Sequence, residues 1–301
     1  KFAAQIATKT GCRLVTDTFV SRIRRGAGLP IVQQVPYFSE MAEDFLKGTE
    51  SIVFIGTKPP VSFFAYPDKK SFLSPDEAEL FELCSVEENG YEALALLSEL
   101  SGSPKIANEL IRPYIADVPT SGDLDVTTLG PLIADIMPEE SIVSDESATS
   151  SLIVTPHALQ AKPHDCLALT GGSIGQGLPL AIGASIAKPD RPVITLHGDG
   201  GAMYTIQALW TQARENLNIT NIIFSNRSYE ILKIELDRVQ AVETGERAAS
   251  MFSMDNPPID WVNLAESMGV QGYKPKTVKE FKDVFSKSVN ESGPSLIEIE
   301  I

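Results

Sequence analysis

The sequence predicts an α/β protein of open parallel sheets flanked by helices. Strand-like apolar runs alternate with helical patterns along most of the chain, and several runs end in clusters of glycine, Asn or Ser, the punctuation of βα units. With 301 residues, and about 150 for a typical domain, two domains are expected.

The first domain is expected over residues 1–112. Phe2 to Lys9 reads as the tail of a helix, Cys12 to Thr16 as a strand, Ser39 to Lys47 as a helix and Ser51 to Gly56 as a buried strand. Tyr91, Leu94, Ala95 and Leu97 fall at helical spacing in a stretch that runs to Ser101 and meets Gly102, a helix stop. A βα unit opens with a strand, whereas this sequence opens inside a helical pattern, so a preceding part is expected. Residues 113–125, with Pro113, Pro119, Ser121 and Gly122, have linker composition.

The second domain is expected over residues 126–301. A helix from Val126 to Met137 precedes strands at Ser141 to Ser144 and Cys166 to Thr170, then a small-residue helix from Gly177 to Ala187. Strand Pro192 to His197 and helix Tyr204 to Asn216 follow, the latter with Ile206, Leu209, Trp210 and Ala213 as its core face. Strand Asn221 to Ser225, helices Ile231 to Val239, Trp261 to Met268 and Val278 to Ser288, and strand Ser295 to Ile301 complete the chain. Ligands of such open sheets sit at the carboxyl ends of the strands.

Composition excludes some roles. The 25 basic and 40 acidic side chains give a net charge of −15, which repels nucleic-acid phosphates. The longest apolar stretch, Leu178 to Ala187, is about half of what spans a bilayer, so no membrane anchor is expected. Cys12, Cys84 and Cys166 are odd in number and lack a CxxC pattern, as expected of free, buried thiols in a reducing, cytoplasmic compartment.

Three strand ends concentrate unusual residues. In His197-Gly198-Asp199-Gly200-Gly201 a buried strand runs into glycines and a lone carboxylate just before a helix. Glycines permit close backbone approach and a helix start offers unpaired N–H groups, both suited to a phosphate, while the carboxylate beside it calls for a bridging Mg²⁺ or Ca²⁺. In Ser225-Asn226-Arg227-Ser228-Tyr229, 27 positions after Asp199, the Asn226 carboxamide can face the same cation, with the Ser228 carbonyl as a further oxygen ligand. The third, Thr170-Gly171-Gly172-Ser173-Ile174-Gly175-Gln176-Gly177, is a glycine loop with Ile174 as an apolar shelf. Its order, GxxGxG from Gly172, reverses the dinucleotide fingerprint, and GxxxxGK[ST] occurs nowhere.

With Asp145-Glu146-Ser147-Ala148-Thr149-Ser150 ahead of GGSIGQGLPLAIGAS, GDGGAMYTIQALWTQAREN and SNRSYEILK, residues 126–301 resemble the diphosphate-binding domain of thiamine diphosphate (ThDP) enzymes. The branch is that of benzoylformate decarboxylase, pyruvate decarboxylase and acetolactate synthase. The first part is similar to the latter part of that family's Rossmann-like middle domain. The resemblance implies Mg²⁺ held by Asp199, Asn226 and the Ser228 carbonyl. It implies a diphosphate on the N–H groups of Gly200 and Gly201, with Thr149 as a further donor and Gly198 and Tyr229 lining the cofactor site. The Gly172 carbonyl and Ile174 N–H would face the aminopyrimidine, and the Ile174 side chain would prop the cofactor into its V shape. The reaction implied is decarboxylation of a 2-oxo acid, followed by aldehyde release or carboligation.

The sequence also departs from the family. Ser225 stands where Asn is usual. Leu232 stands where pyruvate decarboxylases carry Glu, and acetolactate synthases have an aromatic near Glu235. Ile231 falls where the substrate pocket is usually limited. Glu235 is a candidate for proton transfer, with solvation or pairing to Arg238 as the alternative. Nothing matches the family's pyrimidine-binding domain, which carries the activating glutamate. The polypeptide alone is therefore expected to be inactive, and the active protein to be a homodimer or homotetramer. Flavin is not expected. A 2-hydroxyacyl-CoA lyase or oxalyl-CoA decarboxylase, a non-catalytic ThDP-fold binding module and a nicotinamide-dependent oxidoreductase are the alternatives. His157 and His164 are expected at the surface, His197 near the core, and Arg22, Arg24 and Arg25 on a solvated face.

Overall fold

A computed structural model describes residues 1–105, 111, 118–239 and 245–301. They form two compact units, Lys1–Thr18 with Pro30–Leu110, and Phe19–Leu29 with Ile111–Ile301. The boundary expected between residues 112 and 113 lies outside the described residues, and the segment Phe19–Leu29 packs with the second unit.

The chain opens with α1 (Phe2–Thr10), β1 (Val15–Thr16), β2 (Ile23–Arg25), β3 (Gln33–Gln34), α2 (Ser39–Leu46), β4 (Ser51–Ile55), β5 (Glu79–Cys84) and α3 (Gly90–Leu100). All but β2 belong to the first unit. Gly11 ends α1 at φ 76°, a left-handed cap that glycine adopts without cost. Ala42 and Leu46 of α2 pack with Val35 and Leu73. Strands β4 and β5 pair in parallel. The expectation of a buried strand at Ser51 to Gly56 is corrected: only Phe54 is buried along β4, and Val53 is half exposed.

The second unit continues with α4 (Val126–Ile136), β6 (Ile142–Glu146), α5 (Ser151–Ala158), β7 (His164–Ala168), α6 (Gly177–Ala187), β8 (Val193–Gly198), α7 (Asp199–Ala202), α8 (Ala208–Arg214) and β9 (Ile219–Ser225). It closes with α9 (Glu230–Arg238), α10 (Glu246–Ser250), α11 (Trp261–Ser267), β10 (Gln271–Tyr273), α12 (Val278–Asn290) and β11 (Ser295–Glu300). The sheet order is β10-β11-β9-β8-β6-β7-β2, parallel throughout except that β2 runs antiparallel to β7. Every residue of β9 is buried, as expected of a central strand covered on both faces. Leu129, Leu132 and Ile133 of α4 and Phe281 and Phe285 of α12 join Phe224 and Ile297 in one core cluster. Leu178 of α6, Leu209 of α8 and Trp261 of α11 join Ile223 and Leu296 in another. Alternate residues of β9 and β11 thus feed different clusters, which places helices on both faces of the sheet.

Five expectations change here. Trp210 is exposed, with the Arg214 guanidinium 5.4 Å from its ring, while Leu209 alone of its face is fully enclosed. His164 is buried on β7; its Nδ1 lies 2.8 Å from the Lys162 carbonyl, and its Nε2 accepts from Arg25 Nε at 3.4 Å. His157 is half-buried, and its ring occupies the space that a side chain on Gly130 would need. The basic run is a solvated face only in part, since Arg22 and Arg24 keep exposed side chains while forming ion pairs. Arg25 is buried, Arg22 Nε lies 3.0 Å from Asp165 Oδ1, Arg24 pairs with Glu140, and Arg191 Nη1 reaches Asp165 Oδ2 at 2.7 Å. Those arginines hold the buried Asp165 carboxyl below its ordinary pKa, outweighing the opposing effect of burial. Among the cysteines, Cys84 and Cys166 are buried and Cys12 is exposed.

Candidate active site

The chain visits β7 on one side of β6 and then β8 on the other, so the sheet reverses its order between β6 and β8. This is the switch point where the crevice of an open α/β sheet forms. Glu146 ends β6 and pairs in register with His197 of β8, one residue before Gly198 and two before Asp199.

Asp199 is 2% exposed. Its Oδ1 accepts the Gly200 N–H at 2.8 Å and its Oδ2 accepts the Arg227 N–H at 2.7 Å. Among the described residues no cationic side chain binds it, since the Arg227 guanidinium is turned to Glu300 and Asp255. Burial therefore pushes the Asp199 pKa up despite these N–H dipoles. The Asn226 Oδ1 accepts the Ser228 N–H at 2.9 Å, which curls the loop after β9. Arg227 sits in the left-handed region at φ 53°. Its carbonyl accepts from Met254 N at 2.8 Å, and Tyr229 N donates to the Phe252 carbonyl at 2.9 Å, so the loop is held from both sides of Ser228.

Gly200 and Gly201 are required by their neighbours. A Cβ on Gly200 would lie 2.6 Å from Tyr229 Cδ1, and one on Gly201 3.0 Å from both Glu146 Oε1 and His197 Cε1. The Gly200 N–H, expected to face a diphosphate, is directed at Asp199 Oδ1, and the missing side chain of Gly200 admits the Tyr229 ring. Burial, with Tyr204 and Asp199 nearby, raises the Tyr229 hydroxyl pKa.

The glycine loop leaves β7 through a turn at Thr170–Gly172, with Gly171, Gly172 and Gly175 at φ 61°, 69° and 94°. Ile174 is 41% exposed between them. Glu146, a residue the sequence motifs did not single out, holds the far side of this loop. Its Oε2 accepts the Gly177 N–H at 2.6 Å, its Oε1 accepts the Gly175 N–H, and His197 Nε2 lies 3.2 Å from Oε2. Burial opposes ionisation of Glu146, yet His197 and the two N–H groups prevail and its pKa lies below the ordinary value. The signal was present in sequence as a carboxylate at the end of an apolar strand. Thr149 lies in the single turn Ala148–Ser150 after β6, and α9 packs against that turn. Glu235 of α9 is mostly enclosed, with Oε2 4.0 Å from Arg238 Nε.

The structure thus brings Gly198, Asp199, Gly200, Gly201, Asn226, Ser228 and Tyr229 to one strand-end cluster, with the loop of Gly172 and Ile174 tied to it through Glu146. No group of three or more His, Cys, Asp or Glu converges as a metal cage among the described residues. A lone buried carboxylate beside an amide oxygen still fits a divalent cation that shares its remaining positions with phosphate and water, because the cation would offset the burial of charge on Asp199.

An open parallel sheet with these groups at its switch point is the frame of a cofactor-binding α/β enzyme domain. The thiamine pyrophosphate enzyme C-terminal TPP-binding domain matches residues 149–299, and the chain belongs to that family. It is 41% identical over 303 aligned residues to the Mycobacterium tuberculosis protein provisionally named acetolactate synthase large subunit IlvX, covering 99% of this chain and 57% of that protein. It is 27% identical to the benzoylformate decarboxylase of Pseudomonas aeruginosa, over 68% of this chain and 38% of that one. The solved structure of the Rhodococcus jostii RHA1 thiamine diphosphate-dependent 4-hydroxybenzoylformate decarboxylase superposes with a TM-score of 0.79 at 25% identity, over 99% of this chain and 58% of that chain. The chain therefore spans little more than half the length of these relatives at most. No helix among the described residues is long and apolar enough to cross a membrane.

Proposed function

We propose that the chain supplies the diphosphate- and metal-binding half of a ThDP- and Mg²⁺-dependent enzyme that decarboxylates a 2-oxo acid and releases an aldehyde or joins the product to a second carbonyl. One observation carries this reading. Asp199, buried and without a cationic partner, stands hydrogen-bonded to the loop that presents Asn226 and Ser228, in a chain of the thiamine pyrophosphate enzyme family. Asp199, the Asn226 carboxamide and the Ser228 carbonyl would hold Mg²⁺. Gly198, Gly200, Gly201, Thr149 and Tyr229 would surround the diphosphate, with Gly172 and Ile174 at the aminopyrimidine. When bound, ThDP would supply the carbon nucleophile and the electron sink that decarboxylation of a 2-oxo acid needs.

The chain's own residues bind and orient. Ile174 offers an exposed apolar surface that would support the cofactor's bend. Glu235 belongs to α9, the helix packed against the turn of Thr149, and is read as the partner of Arg238, with proton transfer as its alternative role. A pyrimidine-binding domain from the remainder of a longer protein or from a second chain would complete the site, which implies a homodimer or homotetramer and an inactive isolated chain.

The test is CO₂ release and product identification by NMR from the full-length protein given ThDP, Mg²⁺ and either pyruvate or benzoylformate. Acetolactate from pyruvate supports the carboligating version and benzaldehyde from benzoylformate the aldehyde-releasing one. No CO₂ from either substrate, together with no ThDP binding, would overturn the proposal.

A further inference from the structure

Between the glycine loop and the Asp199 turn lies a buried carboxylate–imidazole pair, Glu146 and His197, 3% and 0% exposed. Burying such a pair gains little over apolar residues of the same volume, so cohesion alone does not account for it. What the pair does is touch both halves of the site. Each Glu146 oxygen takes one backbone N–H of the loop, from Gly175 and from Gly177. On the other side, His197 Nδ1 lies 3.0 Å from the Gly198 carbonyl, at the residue before Asp199. A Cβ on Gly177 would lie 2.8 Å from His197 Cδ2, and one on Gly201 3.0 Å from His197 Cε1. Both turns therefore close down on the pair as on a spacer.

The loop's carbonyls are fixed as well. Thr205 Oγ1 donates to the Gly175 carbonyl at 2.7 Å and Ser144 Oγ to the Gly177 carbonyl at 2.9 Å. The backbone N–H and carbonyl of both Gly175 and Gly177 are thus tied, and Ile174, just before them, is left exposed.

We propose that Glu146 is a positioning residue that, with His197 as spacer, sets the separation between the loop bearing Ile174 and the turn bearing Asp199 before any cofactor binds. The span over which the two ends of ThDP are held is then built into the apo protein, and little ordering remains to oppose binding. The inference rests on the ThDP reading above.

The test uses the full-length protein and Glu146→Gln, a variant of nearly the same shape in which one oxygen becomes an NH₂ group facing an N–H. Two probes are titrated in the presence of Mg²⁺: ThDP, which needs both halves, and inorganic diphosphate, which needs only the Asp199 side. Loss of a charged acceptor should weaken ThDP about tenfold or more and leave diphosphate within about twofold. Equal weakening of both probes, or unchanged ThDP affinity, overturns the inference. A wild-type protein that takes diphosphate but not ThDP overturns the cofactor reading and this inference with it. Should the variant not fold, amide hydrogen exchange in the wild-type apo protein decides. Gly175 and Gly177 should exchange far more slowly than Ile174, and equal rates would overturn the inference.

Discussion

Asp199 and Arg227 are joined by a 2.7 Å hydrogen bond from the Arg227 N–H to Asp199 Oδ2, which ties the end of β8 to the loop after β9. Arg227 makes this bond from a backbone at φ 53°, and its side chain pairs with Glu300 and Asp255 on the outside. The backbone of Arg227, more than its charge, thus sets Asn226 and Ser228 beside Asp199.

Arg227→Gly keeps the N–H and favours positive φ, while losing only ion pairs of half-exposed side chains, each worth about 0–1 kcal/mol. Mg²⁺-dependent ThDP affinity of the full-length protein should stay within about threefold of wild type, since 1.4 kcal/mol is tenfold. Arg227→Pro removes the hydrogen-bonded N–H and forbids positive φ, and should abolish that affinity. Isothermal titration of both variants checks the contrast.

Gly200→Ala drives a Cβ to 2.6 Å from the Tyr229 ring. Overpacking of this kind lowers stability by about 1–3 kcal/mol. Combining it with Tyr229→Ala should recover part of that loss, because the two changes share one space. Denaturation midpoints of the two single variants and the double variant measure the coupling.

Burial, with Arg25 adding to it, lowers the His164 pKa from 6.5 to about 4. The unfolded histidine takes up a proton below about pH 6.5 and the folded one does not until about pH 4, so this residue's contribution is complete above pH 6.5 and is lost as pH falls toward 4. At one pH unit per 1.36 kcal/mol, about 2 kcal/mol should be lost between pH 7 and pH 5. His164→Gln should lower stability at pH 7 and flatten that slope. Urea midpoints at the two pH values give the comparison, and parallel slopes would remove the effect.

Ile174→Ala should keep ThDP affinity within about threefold, since a 41% exposed side chain gives up little buried area, while turnover falls by about tenfold or more through loss of the apolar prop. Steady-state kinetics at saturating ThDP separates the two effects. Wild-type turnover would remove the role.

The sheet of the second unit was legible wherever apolar runs were long: Gly177–Ala187 forms the helix its sequence predicts, and the strands at Val193–Gly198 and Ile219–Ser225 fall within two residues of expectation. Short elements held by tertiary partners were not. Ile23–Arg25 carries two arginines and reads as a basic run, yet it pairs as an edge strand because Asp165 and His164 receive those side chains. Glu79–Cys84 mixes charge and apolar residues without alternation, and becomes a strand through pairing with Ser51–Ile55. At the candidate site, residue types marked Asp199, Asn226 and the glycines, since chemistry demands them there. Glu146 escaped notice because its partners are two backbone N–H groups and a histidine 51 positions away, contacts that only the fold creates.

The most direct test of the account is calorimetric titration of ThDP into the full-length protein and its Asp199→Ala variant, each with and without Mg²⁺. The account predicts that wild type binds ThDP only with Mg²⁺ and that the variant binds it in neither condition. Equal affinity of the two proteins, or wild-type binding indifferent to Mg²⁺, would contradict it.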